Sequence, residues 1–550
     1  MKNKFKFYHT ILLFGFILFV GCQDFLDPTP TNKYSNKFTW ESEKNATLYL
    51  NGFYTYIGTY GNFGNGQFGA TLLTDGLTNQ LKYAGNVAGV GTPNLYAYYP
   101  ERITPDQNSL GVWNDAYERV RRVNEALLGL NEFAKFPDEK KKDYEGQLRF
   151  FRSYIYFQLM KRHKSVILLD KPTSYKDNPR ASEAEGWDFI EKDLNEAIAS
   201  LPVTRPAAES GRLTKGMALA FKSRVMLYAQ RWDKAKTAAQ ECIDLKDDKG
   251  GLVYELNPEY RKAFASYEQG NKEAILYFRY VSPAPTHNFD KNYVPGGDYA
   301  GLGALAGPTQ EMVEEYELAT GGKPDWSKWR SKTTETPPYE LLEPRFKASI
   351  LYNGASWKGR KIEAFVGGAD GFQDYGSASA SNGHTVTGYF LRKNLDEKNT
   401  DVEKTLSTQP WIEIRLAEVY LNLAEAAAEL KDAATANQAL TAVRKRVSLP
   451  WSAKTGDALM QAVRHERKVE LAFEGQYYWD LRRWNRAMTE LNNVRFHGLK
   501  IEKAGDTFSY QYVVVDDQVR KYTERLQKSF PIPSAELANN SAIQQLDEWK

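Results

Sequence analysis

Three glutamates spaced four residues apart are the groups of this sequence best placed to do chemistry together. Glu466, Glu470 and Glu474 would share one face if their segment were helical. Carboxylates held side by side can carry out acid–base catalysis, and His465-Glu466 begins like the zinc-binding helix of a metalloprotease. Val469 stands where that motif needs its second histidine, and no nucleophile accompanies the carboxylates. We therefore interpret this carboxylate column as structural.

Carboxylates stacked in a column repel one another, so they need cations close by. The candidates are arginines of the same segment, namely Arg464, Arg467, Arg482, Arg483 and Arg486. Gly475 divides the segment and suits the residue that follows a helix end. The pattern predicts two helices folded against each other, with an arginine–carboxylate network between them.

Long helices are predicted in the first half of the chain and again from Arg415 onward. Apolar residues recur at i, i+3 and i+4 over at least four turns in the segments 110–133, 143–163, 181–201 and 213–229. Two stretches, beginning at Arg212 and Arg415, each read as a helix, a short turn and an alanine-rich second helix. That is the plan of a tetratricopeptide repeat, whose units stack into a superhelix because one unit cannot bury its apolar face alone. Unrelated helical hairpins are the alternative.

Glycine marks the loop-rich parts. Of the 40 glycines, ten lie between Gly52 and Gly91 and fifteen between Val281 and Lys404. No Pro/Ser-rich linker interrupts the chain after its first 40 residues, so we expect one large composite body. Its predicted parts are a helical region 41–280 with a loop at 52–109, a loop-rich region 281–408 and a C-terminal helical region 409–550.

The N-terminus indicates export. Three lysines within the first six residues precede an apolar run from 11 to 20, about half of the roughly 20 residues that a spanning helix needs. Gly21-Cys22 looks like a lipobox, so residues 1–21 are predicted to be a signal peptide and Cys22 the lipidated first residue of the mature protein. Residues 22–40 would then be the anchor and its tether. An ordinary signal peptide with an incidental cysteine is the alternative. Cys242 alone remains, so no disulfide is expected and Cys242 is predicted to be a small core residue.

Composition excludes several functions. The formal net charge is only +3 and the basic residues are not clustered, which argues against nucleic acid as a partner. Six histidines without metal-ligand spacing, and no Walker or nucleophile-elbow sequence, predict neither a metal, nor another cofactor, nor catalysis.

The segment ERKVELAFEGQYYWDLRRW, from Glu466, resembles the C-terminal signature of the SusD/RagB family. Blocks resembling that family recur in family order, beginning at Leu148, Gly211, Gly307, Arg415 and Phe530. The resemblance implies a mainly α, tetratricopeptide-like superhelix with a loop-rich ligand-binding part that contains few short strands. It also implies a non-enzymatic, surface-exposed lipoprotein of the outer membrane that captures nutrients, most commonly glycans, for a SusC-like TonB-dependent transporter.

The loops contain the residue types that a glycan site needs. Sugars present flat C–H faces flanked by hydroxyls, which aromatic rings and amide or carboxylate groups recognise. The residues predicted to bind ligand on this basis are Tyr96, Tyr98, Asn292, Tyr293, Asp298, Tyr299, Asp325 and Trp326. Peptide is an alternative ligand, because aromatic loops also bind peptides. A membrane-anchored glycoside hydrolase is a less favoured alternative, with its carboxylates among Asp290, Asp298, Asp325 and Glu343.

Overall fold

The structure is a computed structural model that describes residues 36–60, 74–84, 100–108, 110–173, 177–265, 270–301, 303–375, 383–516 and 518–550. The predicted signal peptide and Cys22 lie outside the described residues, as do Tyr96 and Tyr98. No helix in the described ranges is both long enough and apolar enough to cross a membrane.

The α-helices of the described residues are α1 Asn36–Trp40, α2 Glu43–Phe53, α3 Thr55–Tyr60, α4 Trp113–Phe133, α5 Asp138–His163, α6 Glu183–Ser200, α7 Lys215–Tyr228, α8 Trp232–Ile243, α9 Lys262–Ala265, α10 Phe289–Tyr293, α11 Gln310–Val313, α12 Pro344–Ser349, α13 Leu416–Glu429, α14 Ala433–Arg446, α15 Gly456–Glu470, α16 Tyr477–Arg483, α17 Ala487–Leu491, α18 Glu524–Lys528 and α19 Ser534–Asn539. The strands are β1 Leu81–Tyr83, β2 Ala274–Phe278, β3 Ala306–Pro308, β4 Ile350–Leu351, β5 Ser356–Trp357, β6 Arg360–Lys361, β7 Phe390–Leu391, β8 Trp411–Arg415, β9 His497–Ala504 and β10 Thr507–Val514.

The long helices stack in chain order. Each of α4 to α7 packs on the next helix, α8 packs on α13, and α13 packs on both α14 and α15. The four segments with helical apolar spacing are the helices α4, α5, α6 and α7, and the two repeat-like stretches are the hairpins α7–α8 and α13–α14. Small buried residues such as Ala218, Ala235, Ala424 and Ala436 allow neighbouring helices to approach closely. The predicted mainly α, tetratricopeptide-like fold is confirmed.

Local chemistry fixes several helix ends. Ser182 and Glu185 form a capping box at the start of α6, in which the Ser182 hydroxyl accepts from the Glu185 N–H and the Glu185 carboxylate accepts from the Ser182 N–H. Thr214 accepts a hydrogen bond from the Met217 N–H at the start of α7.

Cys242 is fully buried on α8, as predicted for a small core residue.

The strands are short and pair antiparallel in twos: β1 with β3, β2 with β8, β4 with β7, β5 with β6, and β9 with β10. Several pairs join segments far apart in the chain, such as Leu81 opposite Pro308 and Phe278 opposite Trp411. The β1–β3 pair attaches the loop-rich region to the N-terminal region, and the β2–β8 pair joins the two helical regions.

The carboxylate column is buried and structural, but its predicted cations are wrong. Glu466 and Glu470 end α15, and Glu474 follows in the turn before Gly475. Segments remote in the sequence converge on this face and supply the cations. Arg345 Nη1 lies 2.5 Å from Glu466 and 3.1 Å from Glu470.

Four more cations complete the network, and one of them, Arg444, places its Nη1 2.8 Å from Glu466. Arg415 Nη1 lies 2.7 Å from Glu470, and Arg446 also pairs with Glu470. Lys393 Nζ lies 2.6 Å from Glu474. Burial alone would raise the pKa of Glu470, but the surrounding arginines hold it below its ordinary value, so the side chain is ionised near neutral pH. The network ties α12 and the segment after β7 to the end of α15.

The arginines predicted for the column serve other groups. Arg467 Nε lies 3.1 Å from Asp480, which also pairs with Arg483 at 2.8 Å, and Arg483 pairs with Glu425. This second network joins α15 to α16 across the turn at Gly475, where φ is +74°. An arginine–carboxylate network therefore joins the two helices, but its acids are Asp480 and Glu425 and not the predicted glutamate column.

Candidate functional site

The predicted ligand residues that the structure describes lie in two places. Asn292 and Tyr293 end α10, and Asp298 and Tyr299 lie in the loop after it. Tyr293 is fully buried, its ring stacks on Phe289 at a centroid distance of 4.6 Å, and its hydroxyl lies 3.4 Å from that of Tyr83. The prediction of an exposed stacking ring at Tyr293 is therefore wrong, because α10 turns this face into the core.

The loop after α10 is held by its neighbours. Asp298 accepts a hydrogen bond from the Trp357 indole and lies 3.7 Å from Arg360 Nη2. Tyr299 is partly buried, with the Lys291 ammonium 5.2 Å from its ring centroid. Asp298 therefore anchors the loop on the β5–β6 hairpin, and Tyr299 keeps part of its ring accessible.

Two glycines allow this loop to pack on residues 383–391. A Cβ at Gly296 would come within 2.7 Å of the Gly383 carbonyl oxygen, and Gly383 has a φ of +75°. Farther along, Tyr389 donates a hydrogen bond to Gln310 and lies 3.1 Å from the Tyr339 hydroxyl. This segment thus contacts the α10 loop at one end and the surroundings of Trp326 at the other.

The other predicted ligand residues, Asp325 and Trp326, line a cleft of about 380 Å³, which we call the Trp326 cleft. Trp326 itself is 4% exposed and packs on Trp329, so the expectation of an exposed ring here is also wrong. Asp325 is exposed and accepts a hydrogen bond from the Ser327 N–H at 2.9 Å, which starts a 3₁₀ turn. The charged residues that line the cleft are Glu311, Glu314, Glu315, Lys323, Asp325 and Arg330.

The carboxylates of the Trp326 cleft are held by protein partners. Burial would raise the pKa of Glu315, but Lys468 and Lys323, whose ammonium groups lie 2.8 and 2.5 Å away, hold it below its ordinary value. Glu311 accepts from His497 Nδ1 at 2.7 Å and raises the pKa of that histidine. The lowered pKa keeps Glu315 charged, and both carboxylates are oriented as hydrogen-bond acceptors that hydroxyls could use.

Two buried polar atoms of this cleft have no hydrogen-bond partner among the described residues. They are the Nε1 of Trp326 and the Oδ1 of Asn79. Both atoms are shielded from solvent, so they belong to the packed wall of the cleft and offer no contact to a ligand. Asn79 was not predicted, and no spacing in its surroundings marks it in the sequence.

A second cleft, of about 620 Å³, adjoins the first and is called the Trp451 cleft. Lys323 lines both clefts. His465 lines the second cleft and its Nε2 lies 2.9 Å from the carbonyl oxygen of Glu315, which lines the first. The two clefts therefore adjoin at Lys323 and His465, and we call them together the groove; residues 458–465 of α15 line its second cleft.

Trp451 supplies the accessible ring of this groove. It is partly exposed, its Nε1 donates to the Asn437 side chain at 3.1 Å, and the Arg444 guanidinium lies 5.2 Å from its ring centroid. The helix α15 forms the floor with residues spaced at i, i+3, i+4 and i+7, namely Ala458, Gln461, Ala462 and His465. The sequence prediction missed Trp451, although a tryptophan in the polar turn Leu449-Pro450-Trp451-Ser452 was a usable signal.

The carboxylates considered for hydrolysis have separate structural partners. Asp290 is buried and accepts from the Asp396 N–H at 2.9 Å, while Glu343 is buried against Arg345. Asp298 and Asp325 hold the two loops described above. Within the described ranges, no group of three or more His, Cys, Asp or Glu is arranged to hold a metal ion.

Two family models match the chain. The model described as the SusD family matches residues 267–549, just over half of the chain, and the model described as starch-binding, associating with outer membrane, matches residues 24–227. A SusD-like protein of Bacteroides ovatus is 22% identical over 520 residues, which cover 89% of this chain and 84% of that protein.

Solved structures match over nearly the whole length. A SusD-like protein of Bacteroides fragilis superposes with a TM-score of 0.78 at 28% identity, covering 92% of this chain and 97% of that one. A SusD-like carbohydrate-binding protein of the same species superposes with a TM-score of 0.77 at 25% identity, covering 92% and 100%.

Proposed function

Because the chain belongs to the SusD family, we propose that it is a non-enzymatic glycan-binding protein of the outer membrane whose ligand lies in the groove formed by the Trp326 and Trp451 clefts. The observation that carries the ligand class is the match of residues 24–227 to the starch-binding model. A similar structure described as carbohydrate-binding supports the same class.

The groove has the chemistry that a neutral glycan requires. Trp451 offers a partly exposed ring for a sugar face. Asp325 and Glu311 offer hydrogen bonds to hydroxyls. Tyr299, Asn292 and the loop carrying Tyr96 and Tyr98 remain predicted contacts. The proposal includes no cofactor or metal.

The finer part of the proposal concerns attachment and delivery. Cys22 would carry the lipid that holds the protein on the cell surface, and the helical body would dock on a SusC-like TonB-dependent transporter that takes up the glycan. The support for attachment is the Gly21-Cys22 sequence after a short apolar run and the outer-membrane description of the matched model. The transporter is proposed from the resemblance to the family.

Binding and turnover can be tested together. Full-length protein in neutral detergent is titrated calorimetrically with maltoheptaose and laminarihexaose, and with a peptide of similar length, and the glycan samples are then analysed by chromatography for cleavage products. We expect saturable binding of a glycan and no products. Binding of the peptide alone, or the appearance of shorter sugars, would contradict the proposal.

A further inference from the structure

A separate cleft lies where several helix ends meet in the helical body. Its volume is about 760 Å³, and it is formed by the end of α5, the start of α6, the turn between α7 and α8, α16 with the residues after it, and the end of α18. None of the residues that line the Trp326 and Trp451 clefts lines this one.

The lining of this cleft is strongly basic. Lys161, Lys164, Arg482 and Lys528 line it, and none of them has a carboxylate within 4.0 Å among the described residues. Arg231 and Arg483 also line it but are paired with acidic groups. Glu183 is the one acidic residue of the described lining. We call this the cationic cleft.

The cations gather around one aromatic ring. The Lys161 ammonium lies 4.5 Å from the Trp479 ring centroid, and the guanidinium carbons of Arg162 and Arg482 lie 4.7 and 5.5 Å from it. Arg482 donates hydrogen bonds to the carbonyl oxygens of Leu526 and Lys161, which satisfy its N–H groups without neutralising its charge.

Burial makes this charge costly, and the Glu413 carboxylate offsets only part of that cost at Lys161. Burial and then the neighbouring Arg162 hold the pKa of Lys161 well below its ordinary value, and burial lowers the pKa of Arg162 to about 9. Like charges held together at partly buried positions cost free energy, which a bound anion would offset.

Polar uncharged groups complete the lining. The side-chain amides of Gln230 and Asn485 are exposed at the rim of the cleft. The cleft is far larger than a single inorganic anion, so it has room for sugar rings between the cations. Cations for acidic groups and amides for hydroxyls are the combination that an acidic saccharide needs.

We propose that the cationic cleft binds an acidic oligosaccharide through its carboxylate or sulfate groups. The saccharide part of this inference rests on the proposed glycan-binding function, whereas the anion part rests on the unpaired cations alone. The site is distinct from the groove proposed for a neutral glycan.

Calorimetry of the full-length protein tests the inference with four probes at low salt: trigalacturonate, neutral maltotriose, triglutamate and inorganic sulfate. The test variant is Lys164→Gln with Lys528→Gln, both at exposed positions, and its matched control is Lys249→Gln with Lys398→Gln, two exposed lysines outside the cleft.

A second variant, Lys161→Met, keeps the aliphatic stem over Trp479 and removes the charge. Because like charges are relieved, it should unfold no earlier than wild type.

We expect trigalacturonate to bind wild type and the control variant equally, and both test variants at least tenfold more weakly. Maltotriose, triglutamate and sulfate should bind at least tenfold more weakly than trigalacturonate. Unchanged binding of trigalacturonate to the folded test variants would overturn the site. Equal binding of triglutamate or of sulfate would overturn the saccharide assignment. If these variants still bind neutral maltoheptaose, the proposed groove binds its neutral glycan whether or not the cationic cleft binds an acidic one.

Discussion

Replacing Glu470 by glutamine tests the buried network that joins the loop-rich part to the helices. Glu470 is fully buried and its carboxylate pairs with three arginines: Arg345 at 3.1 Å, Arg415 at 2.7 Å and Arg446. Glutamine keeps the volume but removes the charge, so all three ion pairs are lost without a cavity. Breaking a buried pair by removing one partner costs roughly 3–5 kcal/mol, because the remaining charge stays buried and uncompensated.

The assay is urea unfolding at pH 7, followed by far-UV circular dichroism. The matched control is Glu335→Gln, since Glu335 pairs with Lys328 at 2.8 Å but is 53% exposed. An exposed pair contributes at most about 1 kcal/mol, so the control should unfold close to wild type. A Glu470→Gln protein as stable as the Glu335→Gln protein would refute the structural interpretation of the network.

The pH dependence of stability provides a second test of Glu470. The arginines hold the pKa of Glu470 below its ordinary value of 4.5, so its ionised form stabilises the folded state above that pH. This stabilisation is lost as the pH falls below about 4.5, where the unfolded state takes up the proton first. The Glu470→Gln variant should therefore lose less stability than wild type on acidification through this range, and equal losses would contradict the assignment.

Three further predictions concern the core and the anchor. Tyr293→Ala should lower the free energy of unfolding by about 3–5 kcal/mol, because it leaves a cavity against Phe289; a urea midpoint equal to that of wild type would contradict its burial. Burial lowers the pKa of His163 to about 3 from 6.5, so folding excludes its proton and stability is lost as the pH falls through 6.5 towards 3. Melting temperatures between pH 7 and pH 4 should fall less steeply for His163→Gln than for wild type, and parallel curves would contradict this. Cys22→Ser should move the protein out of the membrane fraction, because lipidation contributes about 0.8 kcal/mol for each buried CH₂; a variant that resists a carbonate wash would refute the lipid anchor.

Helical periodicity and small-residue spacing were sufficient to predict the helical body. The segments 110–133 and 213–229 became α4 and α7 because their apolar faces repeat with the period of a helix, which is a local property. The structural role of Glu470 followed from the need to neutralise three stacked carboxylates. Its cations could not be predicted, because Arg345 and Arg415 reach it only after distant segments have packed together.

The candidate site was predicted less well, for a physical reason. Residue type shows that a ring could stack on a sugar, but burial depends on tertiary packing, and Tyr293 and Trp326 are both in the core. Trp451 was missed because it stands in the helical region, outside the glycine-rich segments where ligand residues were sought. The groove depends on a contact between the turn at Glu315 and α15, which no local pattern reveals.

The central claim is that a neutral glycan lies against Trp451, and calorimetric titration of Trp451→Ala tests it most directly. The matched control is Trp232→Ala, since Trp232 is also partly buried but begins α8, away from the groove. We predict that the control retains wild-type affinity for the cognate oligosaccharide, while Trp451→Ala weakens binding by more than about 1 kcal/mol, the size expected for a stacking anchor. Wild-type affinity in a folded Trp451→Ala protein would contradict the claim and place the glycan elsewhere.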